Sequence, residues 1–182
     1  MKQFIDYQRQ EADAGSSPHP FNNRLFAAIL ALALGGMANS ALADATCAVS
    51  SSGVSFGVYN VFNSGNNDSA GIIRVACTGL SSIGVAYEIK LNVGVGFGSS
   101  FSSRVMTSAT DSSHHLNYNL YTNSNHTSVW GDGSAGTATV SGGFLLGIDS
   151  QATDHDIFGR IPARQNAYVG SYSDTVTMTI NF

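Results

Sequence analysis

Short runs of β-branched and aromatic residues recur along most of this chain, separated by clusters of Gly, Ser and Asn. After Asp44 no apolar spacing of i, i+3, i+4, i+7 is sustained, so the pattern predicts strands and not amphipathic helices. Strands are expected over 54–59, 72–77, 86–93, 116–121, 143–148, 156–160 and 172–182, with shorter pieces near Cys47 and over 128–130. The connections NSGNNDSAG (63–71) and WGDGSAGT (130–137) are rich in residues that tolerate turn geometry. Regularly spaced short strands indicate an all-β sandwich or barrel, and the length of the folded part favours the sandwich.

The alternation is most regular at the end of the sequence. In TVTMTINF, Val176, Met178, Ile180 and Phe182 share one parity, while Thr175, Thr177, Thr179 and Asn181 share the other. Successive strand side chains point to opposite faces, so four apolar groups are expected on one side and four small polar groups on the other. No later segment follows Phe182 to pair with this strand, so either its outer edge is free or it is simply the C-terminal strand inside a closed sheet.

The apolar run LFAAILALALGGM at 25–37 follows Arg24 and is too short for a spanning helix, which needs about 20 residues. It suits the hydrophobic region of a secretory signal, with small residues at Ala41 and Ala43 placing the expected cleavage after Ala43. Residues 1–43 are then a polar preface plus signal peptide, and residues 44–182 are one domain. An uncleaved membrane anchor is the alternative. The polar preface, with Asp6, Glu11 and Asp13, is unusual for a signal; a start codon placed too far upstream would account for it.

Composition narrows the function. Charged residues make up 11% of the chain against about 25% for an average domain, so the surface is coated with Ser, Thr, Asn and Gly. The net charge of −4 argues against nucleic acid or an anionic membrane as partner. Cys47 and Cys77 are the only cysteines; in an exported protein they meet an oxidising compartment where they can pair, and the rival metal-site reading has neither CxxC spacing nor a nearby histidine.

Candidate chemistry is sparse. Asp154, His155 and Asp156 with His114 and His115 match no metal template, Ser, His and Asp occur without a GxSxG elbow, and the glycines of GVGFG (94–98) precede no helix. No catalytic residue, metal, cofactor or small-molecule substrate is expected. Trp130, with Tyr118 and Tyr121, is either core or an aromatic platform for a sugar or surface.

Six separated blocks then agree: CAVSSSGVSFGVYN (47–60), GIIRVACTG (71–79), LNYNLYTN (116–123), WGDG (130–133), FGRIPARQ (158–165) and VGSYSDTVTMTINF (169–182). In order and spacing they resemble the spore coat protein U domain, a family that includes the pilin subunits of archaic chaperone–usher pili. The resemblance implies an immunoglobulin-like sandwich lacking its last strand, and a cell-surface role in a Gram-negative bacterium as a fimbrial or coat subunit. It also implies a periplasmic chaperone, an outer-membrane usher and neighbouring subunits as partners. By position Cys47 and Cys77 match the family's disulfide, and Val176, Met178, Ile180 and Phe182 match the strand a chaperone grips. The implied physics is β-strand addition, with main-chain hydrogen bonds for affinity and alternate side chains for register.

One departure bears on assembly. With cleavage after Ala43, only Asp44, Ala45 and Thr46 precede Cys47, a span of about 10 Å, too short to complete a neighbour's sandwich. Such a subunit is expected to accept a strand but not to donate one. That keeps a second reading open, a tip-located or soluble adhesin module that binds a glycan or surface through its loops.

Overall fold

The computed structural model describes residues 3–6, 9–10, 45–80, 83–145 and 147–182, and contains only strands and loops. The apolar run at 25–37 and the cleavage point after Ala43 lie outside the described residues. The described residues form eleven strands: β1 (Gln3–Asp6), β2 (Arg9–Gln10), β3 (Thr46–Ser51), β4 (Asn67–Thr78), β5 (Val85–Leu91), β6 (Arg104–Ser108), β7 (His115–Tyr121), β8 (Val140–Phe144), β9 (Ser150–Ile161), β10 (Tyr172–Thr175) and β11 (Met178–Asn181). They build a seven-stranded sheet of order β1-β10-β6-β7-β9-β4-β3 and a four-stranded sheet of order β2-β11-β5-β8. The result is the all-β sandwich that the alternation predicts, two sheets of the kind the family resemblance implies.

The inner faces meet in one apolar core that includes Ile73, Val75, Ile89, Leu120, Trp130 and Ile157. Its alternation is clearest in β4, where Gly71, Ile73, Val75 and Cys77 face inward while Ile72, Arg74 and Thr78 face outward or sit at the rim. The longest ladder joins β4 to β9 over twelve register pairs, from Asn67↔Ile161 to Thr78↔Ser150. On its outer face Arg74 donates to both carboxyl oxygens of Asp154 (2.9 and 3.1 Å), and Arg160 donates to Asp68 (2.6 and 2.7 Å). Cys47 and Cys77 are direct partners in the β3–β4 ladder and form the disulfide, with Cα atoms 4.0 Å apart.

Several expected strands differ in extent. The two long strands run well beyond the expected 72–77 and 156–160, because their polar outer positions continue the ladder past the apolar runs. The strand expected over 143–148 is instead β8, shifted toward the N-terminus, where Gly142 and Gly143 pair against Tyr87 and Ala86. Residues 128–130 make isolated bridges, Tyr121↔Val129 and Trp130↔Ala138. Residues 54–59 bury Val54, Phe56 and Tyr59 but belong to no ladder, and Gly57, at φ +67°, breaks the run. Their carbonyls take side-chain donors instead: Asn67 Nδ2 to Phe56 O, and Ser69 Oγ to Ser55 O. Glycines clear the space for this crossing segment. A Cβ at Gly71 would collide with the Gly53 carbonyl oxygen, and one at Gly159 would lie 2.7 Å from Phe56 Cζ.

Candidate strand-addition edge

The segment expected to be one strand over 172–182 is two. β10 lies in the seven-stranded sheet against β6, while β11 lies in the four-stranded sheet against β5, in register from Met178↔Leu91 to Asn181↔Glu88. The change of sheet falls at Val176 and Thr177. Its parity survives the break, so the apolar set remains inward: Val176, Met178 and Ile180 are buried. Phe182 departs from the set. It is 62% exposed, beyond the last paired residue Asn181, and its ring rests on Tyr87 with centroids 6.1 Å apart.

Polar groups hold the crossing point. Asp174, only 3% exposed, has the same parity as Val176 and directs its carboxyl group into the interior. Oδ1 accepts from the backbone N–H groups of Val95 (2.9 Å), Gly96 (3.1 Å) and Thr175 (2.8 Å), and Oδ2 accepts from the Tyr118 hydroxyl (2.7 Å). The GVGFG loop is therefore an internal cradle for a side-chain carboxyl group. A Cβ at Gly94 would occupy the position of Asp174 Oδ2, and Gly94 itself has φ +89°, which favours glycine. Asn92 completes the joint: its N–H donates to Thr177 O (3.0 Å) and its Oδ1 accepts from Thr177 N (2.9 Å).

Beneath that joint lies Arg104, fully buried. Its guanidinium donates to Asn92 O (2.8 and 3.1 Å), Trp130 O (2.7 Å) and Asn119 Oδ1 (2.6 Å), so a buried cation is met by carbonyl dipoles from three elements. Neither Arg104 nor Asp174 stands out in the sequence as a site residue, and β6, which carries Arg104, is absent from the expected strands. The one available signal is Asp174, a carboxyl residue on the apolar parity of an otherwise regular strand.

The outer edge of this strand is where the structure adds something unforeseen. Among the described strands of residues 45–182, β10 pairs only with β6 and β11 only with β5. Their other edges are taken by β1 and β2, both parallel: Gln3↔Tyr172 through Asp6↔Thr175, then Arg9↔Met178 and Gln10↔Thr179.

The remaining candidates fall elsewhere. Trp130 is 0% exposed and its indole Nε1 donates to Ile89 O (3.1 Å), which removes it as a surface-binding aromatic. Large rings contribute most when fully desolvated, and this one lies at the centre of the sandwich. Tyr118 is also core, whereas Tyr121 is half-buried against His126. His155 lies on β9 with its Nε2 2.8 Å from the Tyr87 hydroxyl, a contact between the two sheets. Burial holds His155 below the ordinary histidine range despite the opposing pull of Asp154 and Asp156, and burial raises Tyr87. Beside β11, hydrogen bonds from Thr139 and then Lys90 keep Glu88 below the usual carboxyl range. His114 instead stacks on Tyr168, with centroids 3.8 Å apart. Among the described residues no three His, Cys, Asp or Glu side chains are grouped to hold a metal.

The Spore Coat Protein U domain model matches residues 33–179. No curated protein matches the chain. Among solved structures, the crystal structure of the Salmonella SafD adhesin is similar over 70% of this chain and 77% of that chain, at 11% identity and a TM-score of 0.29. A superposition of that quality carries no argument about this protein.

Proposed function

Because the chain belongs to the Spore Coat Protein U domain family, we propose that it is a structural subunit of a pilus-type or coat-type cell-surface assembly, joined to its partners by β-strand addition at the β10–β11 edge. On this reading the subunit is exported, oxidised at Cys47–Cys77, held by a periplasmic chaperone and passed through an outer-membrane usher to neighbouring subunits. It performs no catalysis. The observation that supports strand addition is the free outer edge that residues 45–182 leave along their terminal strand, while that strand's inner side chains are part of the core. An incoming strand would gain main-chain hydrogen bonds along both sheets and cover the flank of Val176, Met178 and Ile180. Each of these side chains contributes about 1.5–3 kcal/mol when fully buried.

Replacing Met178 and Ile180 together with Asp tests the reading. Periplasmic accumulation and surface assembly should be lost; normal assembly of that variant would overturn it. Because those side chains are also core, a photo-crosslinking residue at Thr179, which lies on the polar parity, separates folding from recognition. It should capture the chaperone in intact cells.

A second reading, a surface-binding adhesin module, draws support from apolar side chains standing out on the loops. Phe62 is 90% and Val169 98% exposed. Substituting both with Ser should abolish attachment to hydrophobic surfaces on this reading and leave assembly unchanged.

A further inference from the structure

The geometry points to an internal competitor for the assembly edge: residues 3–6 and 9–10 cover β10 and β11 in cis, so the chain closes its own sandwich until these strands are withdrawn. The paired residues differ by 169 throughout, from Gln3↔Tyr172 to Gln10↔Thr179. A common offset on both sides of Val176 means that β1 and β2 follow the terminal strand from the first sheet into the second. Two unrelated edge contacts would have no reason to keep a common offset.

The covalent connection permits this pairing. Residues 11–44 separate the segment from the sandwich. Fully extended they reach about 110 Å, while the twelve-residue strands of the sandwich are about 40 Å long. A tether that spans its two sites gives the attached segment a millimolar-range effective concentration, so a free external strand must outcompete it.

The tether also contains the apolar run at 25–37 and the processing point expected after Ala43. Pairing in cis requires residues 3–10 and 172–179 on the same side of a membrane. Export of the domain with the segment held back, or cleavage after Ala43, therefore uncovers the edge. Covering and strand addition are mutually exclusive states of one edge, and the location of the segment decides between them.

Hydrogen exchange on the purified, oxidised full chain tests this. Proline cannot donate to a ladder, so Phe4→Pro combined with Ile5→Pro, or deletion of residues 2–10, should raise exchange across 172–181 at least tenfold. A synthetic peptide of residues 2–11 added to the deleted chain should restore the protection. Unchanged exchange in both variants would overturn the inference. Should the variants not fold, a photo-crosslinker at Gln10 of the intact chain decides: it should join to residues 177–181 within one molecule, and crosslinks elsewhere or only between molecules would refute covering in cis. Failure here leaves strand addition by a chaperone untouched, since the Thr179 crosslink reads that separately.

Discussion

The two flanks of the sandwich are secured in opposite ways. On one flank β3, β4 and β9 form long ladders with a cross-strand disulfide and two charge pairs on the outer face, all within residues 45–182. On the other, β10 pairs with β6 at only two positions, β11 pairs with β5 at four, and the strand is anchored between them by the buried carboxyl group of Asp174. Among the described residues the first flank is paired entirely by strands of residues 45–182. The second is held at one point and takes its remaining pairing from whatever lies along its edge. Stability is thus concentrated away from the surface on which assembly would act, and a disturbance of either flank should leave a different signature.

The largest effect is expected at Asp174. Asp174→Ala removes the acceptor of one buried and three partly buried hydrogen bonds, each contributing about 1 kcal/mol, so stability should fall by about 4 kcal/mol. Denaturant midpoints measure this. Hydrogen exchange should show the loss first across 172–181, and a loss appearing first in β4 and β9 would contradict the two-flank description.

The disulfide comes next. Replacing Cys47 and Cys77 by Ala releases a crosslink with a sequence separation of 30, worth about 3.6 kcal/mol. Here exchange should rise in β3 and not in β10 or β11. Equal loosening of both flanks would mean that they unfold as one unit.

The smallest expected effect concerns the contact between Tyr87, beside the terminal strand, and His155 on β9. Burial lowers the folded-state pKa of His155, so below about pH 6.5 the unfolded chain binds the proton more readily. Stability should decline as pH falls through that region toward the folded pKa. His155→Gln should flatten this part of the stability profile; a slope unchanged in the variant would assign it to other groups.

Much of this was legible in the sequence because alternation is a local signal. TVTMTINF placed Val176, Met178 and Ile180 inward, the all-β class followed from residue type and spacing, and the pairing of Cys47 with Cys77 followed from the expected export and the family resemblance. The break at Val176 was hidden because side-chain parity continues through it while the hydrogen-bond partner changes. β6 was missed because RVMTS is short and its first inward group is an arginine, whose partners are carbonyls brought together only by folding. Residues 54–59 alternate like a strand, yet they join no ladder, and the carbonyls of Ser55, Phe56 and Val58 accept from side chains instead. The pairing of residues 3–6 and 9–10 joins positions 169 apart in a polar stretch, and no local pattern announces it.

The shift of the terminal strand between sheets has a mechanical consequence. A strand laid along it is bonded to both layers of the sandwich in succession, so a pull along its axis loads two short rows of hydrogen bonds in shear and at the same time. Peeling would have to begin at one end and then cross the corner at Val176, where the direction of pairing changes. A joint of this shape resists tension along the line of an assembly better than a single flat seam of equal length, and it does so without any added contact area.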